Sequence, residues 1–212
     1  MFPVADVIPS RSRPYVTIGL IALNALAFAA ELLAGDLLPR VLFALGLVPV
    51  FYSWTDVLSS MFLHSGWVHF LGNMLYLWIF GDTVEDRLGH LRYLVFYLAC
   101  GVAGGLGHVA ANPYSSTPVI GASGAVSGVL GAYFVLYPQS RILTAVFLVV
   151  VRDLVEVPAV AFLGIWLLLQ AFSGAGAITA PADGSAASWS HVVGFAVGAM
   201  GGWFWRRRIA YP

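Results

Sequence analysis

Apolar residues in this chain gather into long unbroken runs separated by polar or Gly/Pro-rich stretches. Six runs stand out: Tyr15–Ala34, Trp67–Arg87, Leu91–Ala111, Val119–Tyr137, Val157–Phe172 and Trp189–Trp205. A bilayer core of about 30 Å needs roughly 20 apolar residues as a helix. The pattern therefore predicts an all-α, polytopic membrane protein with six transmembrane helices. A membrane domain over 15–205 would lie between a polar, proline-rich tail, 1–14, and a short arginine-rich tail, 206–212. A seventh apolar stretch, Ile142–Val151, has only about ten residues and is predicted as an interfacial or re-entrant piece. The main intervening loops are Gly35–His64 and the low-complexity Ser173–Ser188.

Composition agrees with the runs. Of 212 residues, 60% are hydrophobic and 9% charged, against about 25% charged in soluble domains. Formal net charge is +0, which gives no electrostatic case for nucleic acid. Cys100 is the only cysteine, so no intrachain disulfide can form. All ten basic residues are arginines. With six spans, Arg11, Arg13, Arg87, Arg92, Arg141, Arg152 and Arg206–Arg208 share one side, and Arg40 alone takes the other. The positive-inside rule then puts both termini in the cytoplasm. With no transit peptide visible, a bacterial plasma membrane is the expected location.

This topology groups polar residues that are far apart in the chain. Ser123 in the fourth run, His191 in the sixth, and His69 with Asn73 in the second all fall in the outer half of helices running inward. From Ser123 to Tyr137, before Pro138, is about 15 residues, or about 22 Å of helix. The fourth helix is therefore predicted to begin below the outer surface, which requires a water-reachable cavity open to the outside. Gly124 and Gly128, and Gly194, Gly198 and Gly202, recur every four residues. Such faces let two helices approach closely and would bring Ser123 to His191. A hydroxyl within reach of a neutral imidazole is an activated nucleophile. Unpaired N–H groups opening the fourth helix could hold an oxyanion. His69 and Asn73, at i and i+4, share one face and can donate into the same space.

Gly121-Ala122-Ser123-Gly124, the pattern HxxGxxxG at His191–Gly198, HSGWVHFLGN at His64–Asn73 and VEDRLG at Val84–Gly89 together resemble the rhomboid intramembrane serine proteases. The likeness runs from the first span to the last. It implies a Ser–His dyad with Ser123 as nucleophile and His191 as general base, and an oxyanion site lined by His69, Asn73 and the Ser123 N–H. It also implies a structural role for His64. It implies no metal or cofactor, with transmembrane proteins as substrates, cut at or near their outer ends through an acyl-enzyme. Lateral entry near Val157–Phe172, under a cover formed by Ser173–Ser188, is a further family expectation. Two positions depart from the family. Ser127 stands where some members carry an aromatic residue on the catalytic histidine, and Trp54-Thr55-Asp56 stands where some carry Trp-Arg.

Other readings compete. Ser123 alone could cap or pack a helix, and His69 with Asn73 could be an interhelical hydrogen-bonded pair. Glu85, Asp86 and Arg87 read as a structural ion-pair cluster, His90 as interfacial, and Ser127 as a packing or cavity residue. A catalytically inactive rhomboid-like protein that binds membrane clients is one alternative. A small six-span transporter is another. Against the transporter stand the lack of an Asp or Glu in the outer halves of the inward-running helices and of an internal repeat.

Overall fold

The computed structural model describes residues 2–147, 152–179 and 188–208. It is mostly helical. Strand β1 (Phe2–Asp6) precedes α1 (Tyr15–Leu33); α2 (Leu38–Leu45) and α3 (Trp54–Ser59) follow, with 3-10 turns between them. Then come α4 (Trp67–Leu88), α5 (His90–Ala111), α6 (Ser123–Leu136), strands β2 (Arg141–Phe147) and β3 (Arg152–Pro158), α7 (Ala159–Thr179) and α8 (Ser188–Arg208). Each of the six apolar runs thus contributes most of its residues to one helix: α1, α4, α5, α6, α7 and α8. By length and composition α1 and α5 pass as membrane spans, while Ser123–Leu136 and Ala159–Ser173 are shorter apolar helices. Helices α4 and α8 have 22 and 21 residues. His69, Asn73 and Asp82 in the first, and Ser188, Ser190 and His191 in the second, lower their hydropathy.

Helix α6 is the hub. From Gly124 to Tyr133 every residue is buried, as expected of a helix apolar all round. It is wrapped by α4, α5 and α8. Glycines set the closeness of α6 to α8. A Cβ on Gly194 would collide with the Gly124 carbonyl, and one on Gly198 with the Gly128 carbonyl. On α5, a Cβ at Gly104 would stand 2.8 Å from the Ser190 carbonyl, so α5 enters the same junction. Leucine-sized residues at these positions would push the backbones apart.

The expectation of an all-α chain fails at three strands. Ile142–Val151 is neither a re-entrant helix nor a loop over its described part; it contributes β2, paired antiparallel to β3 with Leu143 opposite Glu156. β1 adds to the other edge of β2, with Phe2 opposite Ala145. Burial alternates along β2, with Ile142 and Thr144 fully buried and Leu143 and Ala145 only partly so, the period of a half-covered strand. Pro3 is accommodated because β1 is an edge strand, with an irregularity between Pro3 and Ala5. Residues 148–151 lie outside the described residues.

The loop Gly35–His64 also carries more order than its composition indicates. Ser53 and Asp56 form a reciprocal capping box on α3, with the Ser53 N–H donating to Asp56 Oδ2 at 2.8 Å. The Trp54-Thr55-Asp56 departure is thus used as a helix cap.

The acidic cluster ending α4 ties the bundle together. Helix α1 has no side-chain cap of its own. Its first N–H groups are instead satisfied by Glu85, whose carboxylate accepts from Val16 N (2.9 Å), Thr17 N (2.7 Å) and Thr17 Oγ1 (2.7 Å). A carboxylate at a helix N-terminus also meets the positive end of its dipole. His90 Nδ1 lies 2.6 Å from the same carboxylate, and Ser12 donates to Asp86. The cluster is therefore a junction between elements.

Candidate active site

Chain geometry before α6 fixes where that helix begins. Leu47 and Val119 exchange backbone hydrogen bonds of 3.0 and 2.9 Å, and the Gly121 N–H donates to the Ser60 carbonyl at 2.8 Å. Gly121 has φ +130°, which a side chain would strain. A Cβ there would also lie 2.7 Å from His69 Cε1 and Nε2. The glycine therefore keeps the imidazole close to the backbone that leads into Ser123. Ser123 is the first residue of α6, and no side chain caps that helix. The N–H groups of its first turn have no intrahelical acceptor.

His191 Nε2 lies 2.7 Å from Ser123 Oγ. The glycine contact of α6 with α8 puts these two side chains at the same level. His191 Nδ1 lies 2.7 Å from Gln170 Oε1 on α7. A carbonyl oxygen can only accept, so Nδ1 carries the proton and Nε2 is left to accept from Ser123. The Trp166 ring, one turn before Gln170, is tilted over the imidazole with centroids 6.0 Å apart. Trp166 also stacks on Phe195 at 6.2 Å.

His69 stands on α4 across a cavity of about 210 Å³ that it shares with Asn73, Ser123, Gln170 and His191. Its Nδ1 accepts from the Ser65 N–H at 3.4 Å and lies 3.1 Å from Ser65 Oγ. That leaves Nε2 as the donor, on the Cε1–Nε2 edge of the ring that faces Gly121. Asn73 spends one amide hydrogen on the His69 carbonyl at 3.1 Å, leaving a second for the cavity. The four residues singled out from the sequence line one space. His64 is buried nearby. Its backbone N–H donates to both Glu31 oxygens, at 3.0 and 3.1 Å, and its ring packs against Phe28, His69 and Phe70. Ser127 donates to the Ser123 carbonyl at 2.5 Å, a packing role.

Three members of the site were not found from sequence. Gln170 and Trp166 lie in a run that reads only as a membrane span, and no local motif marks them. Ser65 sits within HSGWVHFLGN, and its spacing of four from His69 was the available signal. Half of the cover expected over Ser173–Ser188, residues 180–187, lies outside the described residues; α7 itself continues to Thr179, and α8 begins at Ser188. The cavity is largely apolar, and the two histidines, Asn73, Ser123 and Gln170 are set into its wall. It can activate a hydroxyl and receive negative charge. Among the described residues no cluster of His, Cys, Asp or Glu could hold a metal ion.

Comparison with known proteins adds a family. The Rhomboid domain matches residues 52–208. The chain is 39% identical over 88 residues to rhomboid protease GluP of Bacillus subtilis, covering 42% of this chain and 17% of that protein. It is 32% identical over 159 residues to mitochondrial rhomboid protein 1 of Saccharomyces cerevisiae, covering 70% of this chain and 41% of that one. The human mitochondrial presenilin-associated rhomboid-like protein is 35% identical over 92 residues, covering 42% of this chain and 24% of that protein. In each case the match spans less than half of the relative's own length.

Proposed function

Because the chain belongs to the rhomboid family, which is membrane-integral, we propose that it is an intramembrane serine endopeptidase acting on transmembrane segments of other proteins. One observation carries the reading: the 2.7 Å contact between His191 Nε2 and Ser123 Oγ, within the reach a general base needs. Protease-named relatives support the reaction class.

In this mechanism His191 Nε2 takes the Ser123 proton as Oγ bonds to the scissile carbonyl carbon. The carbonyl oxygen becomes an oxyanion, held by N–H groups of the first turn of α6, by His69 Nε2–H and by Asn73. Each such donor is worth roughly 3–4 kcal/mol when aimed at the developing charge. The C–N bond then breaks as His191 returns its proton to the leaving amine, and an acyl-enzyme remains on Ser123. Water, deprotonated by His191, attacks the ester and frees the second product. A substrate helix must unwind locally first, because its own hydrogen bonds shield the peptide. No cofactor enters any step.

The membrane arrangement belongs to the same proposal. α1, α4, α5, α6, α7 and α8 are the six spans of a domain over 15–205. The tails 1–14 and 206–212 lie in the cytoplasm and the site opens outward. A bacterial plasma membrane suits this arrangement. At 14 residues, α6 is about 21 Å long, which leaves its first turn inside the bilayer and in need of water access.

Fluorophosphonate labelling read by intact mass tests the chemistry. Folded wild type should gain one adduct, mapped to Ser123, and Ser123→Ala and His191→Ala should gain none. Wild type that is folded yet stays unlabelled would turn the reading toward a non-catalytic family member that binds membrane proteins.

A further inference from the structure

We propose that Gln170 is a positioning residue for the base, so that α7 completes the catalytic assembly. This rests on the Ser123–His191 reading above. α6 does not hold the imidazole by itself. Ser127 is one turn past Ser123, yet its hydroxyl is committed to the Ser123 carbonyl at 2.5 Å. With its one hydrogen spent there, it cannot also donate to the imidazole, and it has no aromatic ring to lay on it. The other contacts that hold the ring come from α7. The Trp166 ring is tilted toward the imidazole with centroids 6.0 Å apart, and Gln170 Oε1 meets Nδ1 at 2.7 Å. At i and i+4 these two residues share one helix face.

The chemistry needs an acceptor at that point. An imidazole with its proton on Nε2 cannot take one from Ser123. An acceptor at Nδ1 makes the other tautomer the favoured one and fixes the ring plane. The Gln170 carbonyl does this without placing a second charge in a buried site, where an unpaired carboxylate is costly. As His191 gains the Ser123 proton, the Gln170 dipole also faces the new positive charge. The titratable groups acting on His191 from neighbouring helices are His69 of α4 and His108 of α5; α6 contributes Ser123, and α7 contributes Trp166 and Gln170.

A consequence for motion follows. α7 packs chiefly on α8 and only lightly on α6. A displacement of about 1 Å takes a 2.7 Å hydrogen bond past useful length. The base is therefore in its working tautomer and plane only while α7 is seated.

The test uses full-length protein and a fluorophosphonate probe, with the inactivation rate constant and the probe's apparent affinity measured separately across pH. Gln170→Ala should lower the rate constant by about tenfold to a hundredfold and leave the affinity unchanged. Gln170→Glu should keep the acceptor, and its added charge should move the acidic limb of the profile up by about one pH unit or more. Folding of each variant is followed by exposure of the buried Cys100 thiol. A folded Gln170→Ala that labels as fast as wild type overturns the proposal while leaving the dyad intact. So does a Gln170→Glu profile unchanged in both rate and limb, which serves as the deciding result if the alanine variant does not fold. Unlabelled folded wild type removes the dyad and this inference with it.

Discussion

At the scale of single residues, Gly121 shows how little freedom the site leaves. Its φ of +130° and the His69 ring, 2.7 Å from where a Cβ would sit, impose two separate costs on any side chain. Gly121→Ala should cost roughly 1–3 kcal/mol of stability from backbone strain. It should also slow Ser123 labelling at least tenfold by displacing His69; a labelling rate equal to wild type would show that the ring tolerates the shift. Ser123, His191, His69 and Asn73 were legible in the sequence for one reason. Polar groups within apolar runs are costly, so their presence at a common depth carries information. Gln170 was not legible. It is a polar residue in an apolar run, but it is 21 positions from its partner, near the end of a run with no glycine stripe to give a register. Only the placement of α7 brings it to His191.

At the scale of elements, the helices were readable and the sheet was not. Long apolar runs separated by polar breaks map directly to helices, and the four-residue glycine spacing correctly paired α6 with α8. β2 hid because Arg141–Phe147 and the residues after it read as one short apolar run, where length argued against a span without arguing for a strand. β1 hid because it is five residues long and contains Pro3. Its docking rests on Asp6, whose Oδ2 accepts from Thr83 Oγ1 on α4 at 2.8 Å and from the Tyr133 hydroxyl on α6 at 3.0 Å. Burial raises the Asp6 carboxyl above its ordinary value, with repulsion from Asp82 adding to it, while the two hydroxyls pull the other way. For a carboxyl raised in the docked state, the stabilisation is complete below the ordinary value near 3.8. It is lost as pH rises through the raised value. Amide hydrogen exchange in β1, corrected for its intrinsic pH dependence, should thus show weaker protection as pH climbs from the ordinary value through the raised one. Asp6→Asn should flatten that trend; a variant with the same pH dependence would place the titration elsewhere.

At the scale of the whole molecule, the proposed six-span arrangement makes a statement about sides. Between Arg11 and Tyr114 lie α1, α4 and α5, three proposed crossings. In a Cys100→Ala background, cysteines at these exposed positions should react with a membrane-impermeant thiol reagent from opposite faces of a sealed vesicle. Reaction from the same face would require an even number of crossings and would undo the topology. The sheet bears on assembly in another way. Phe2 pairs with Ala145, so β1 has no partner in this sheet until β2 has been synthesised. At about 5–20 residues per second, a separation of about 140 residues is a delay of roughly 7–28 seconds. During synthesis the strand must therefore wait, unpaired, while α1 through α6 emerge. The β1–β2 edge of the sheet can close only after α1 through α6 have been made, on the ribosome's own timing.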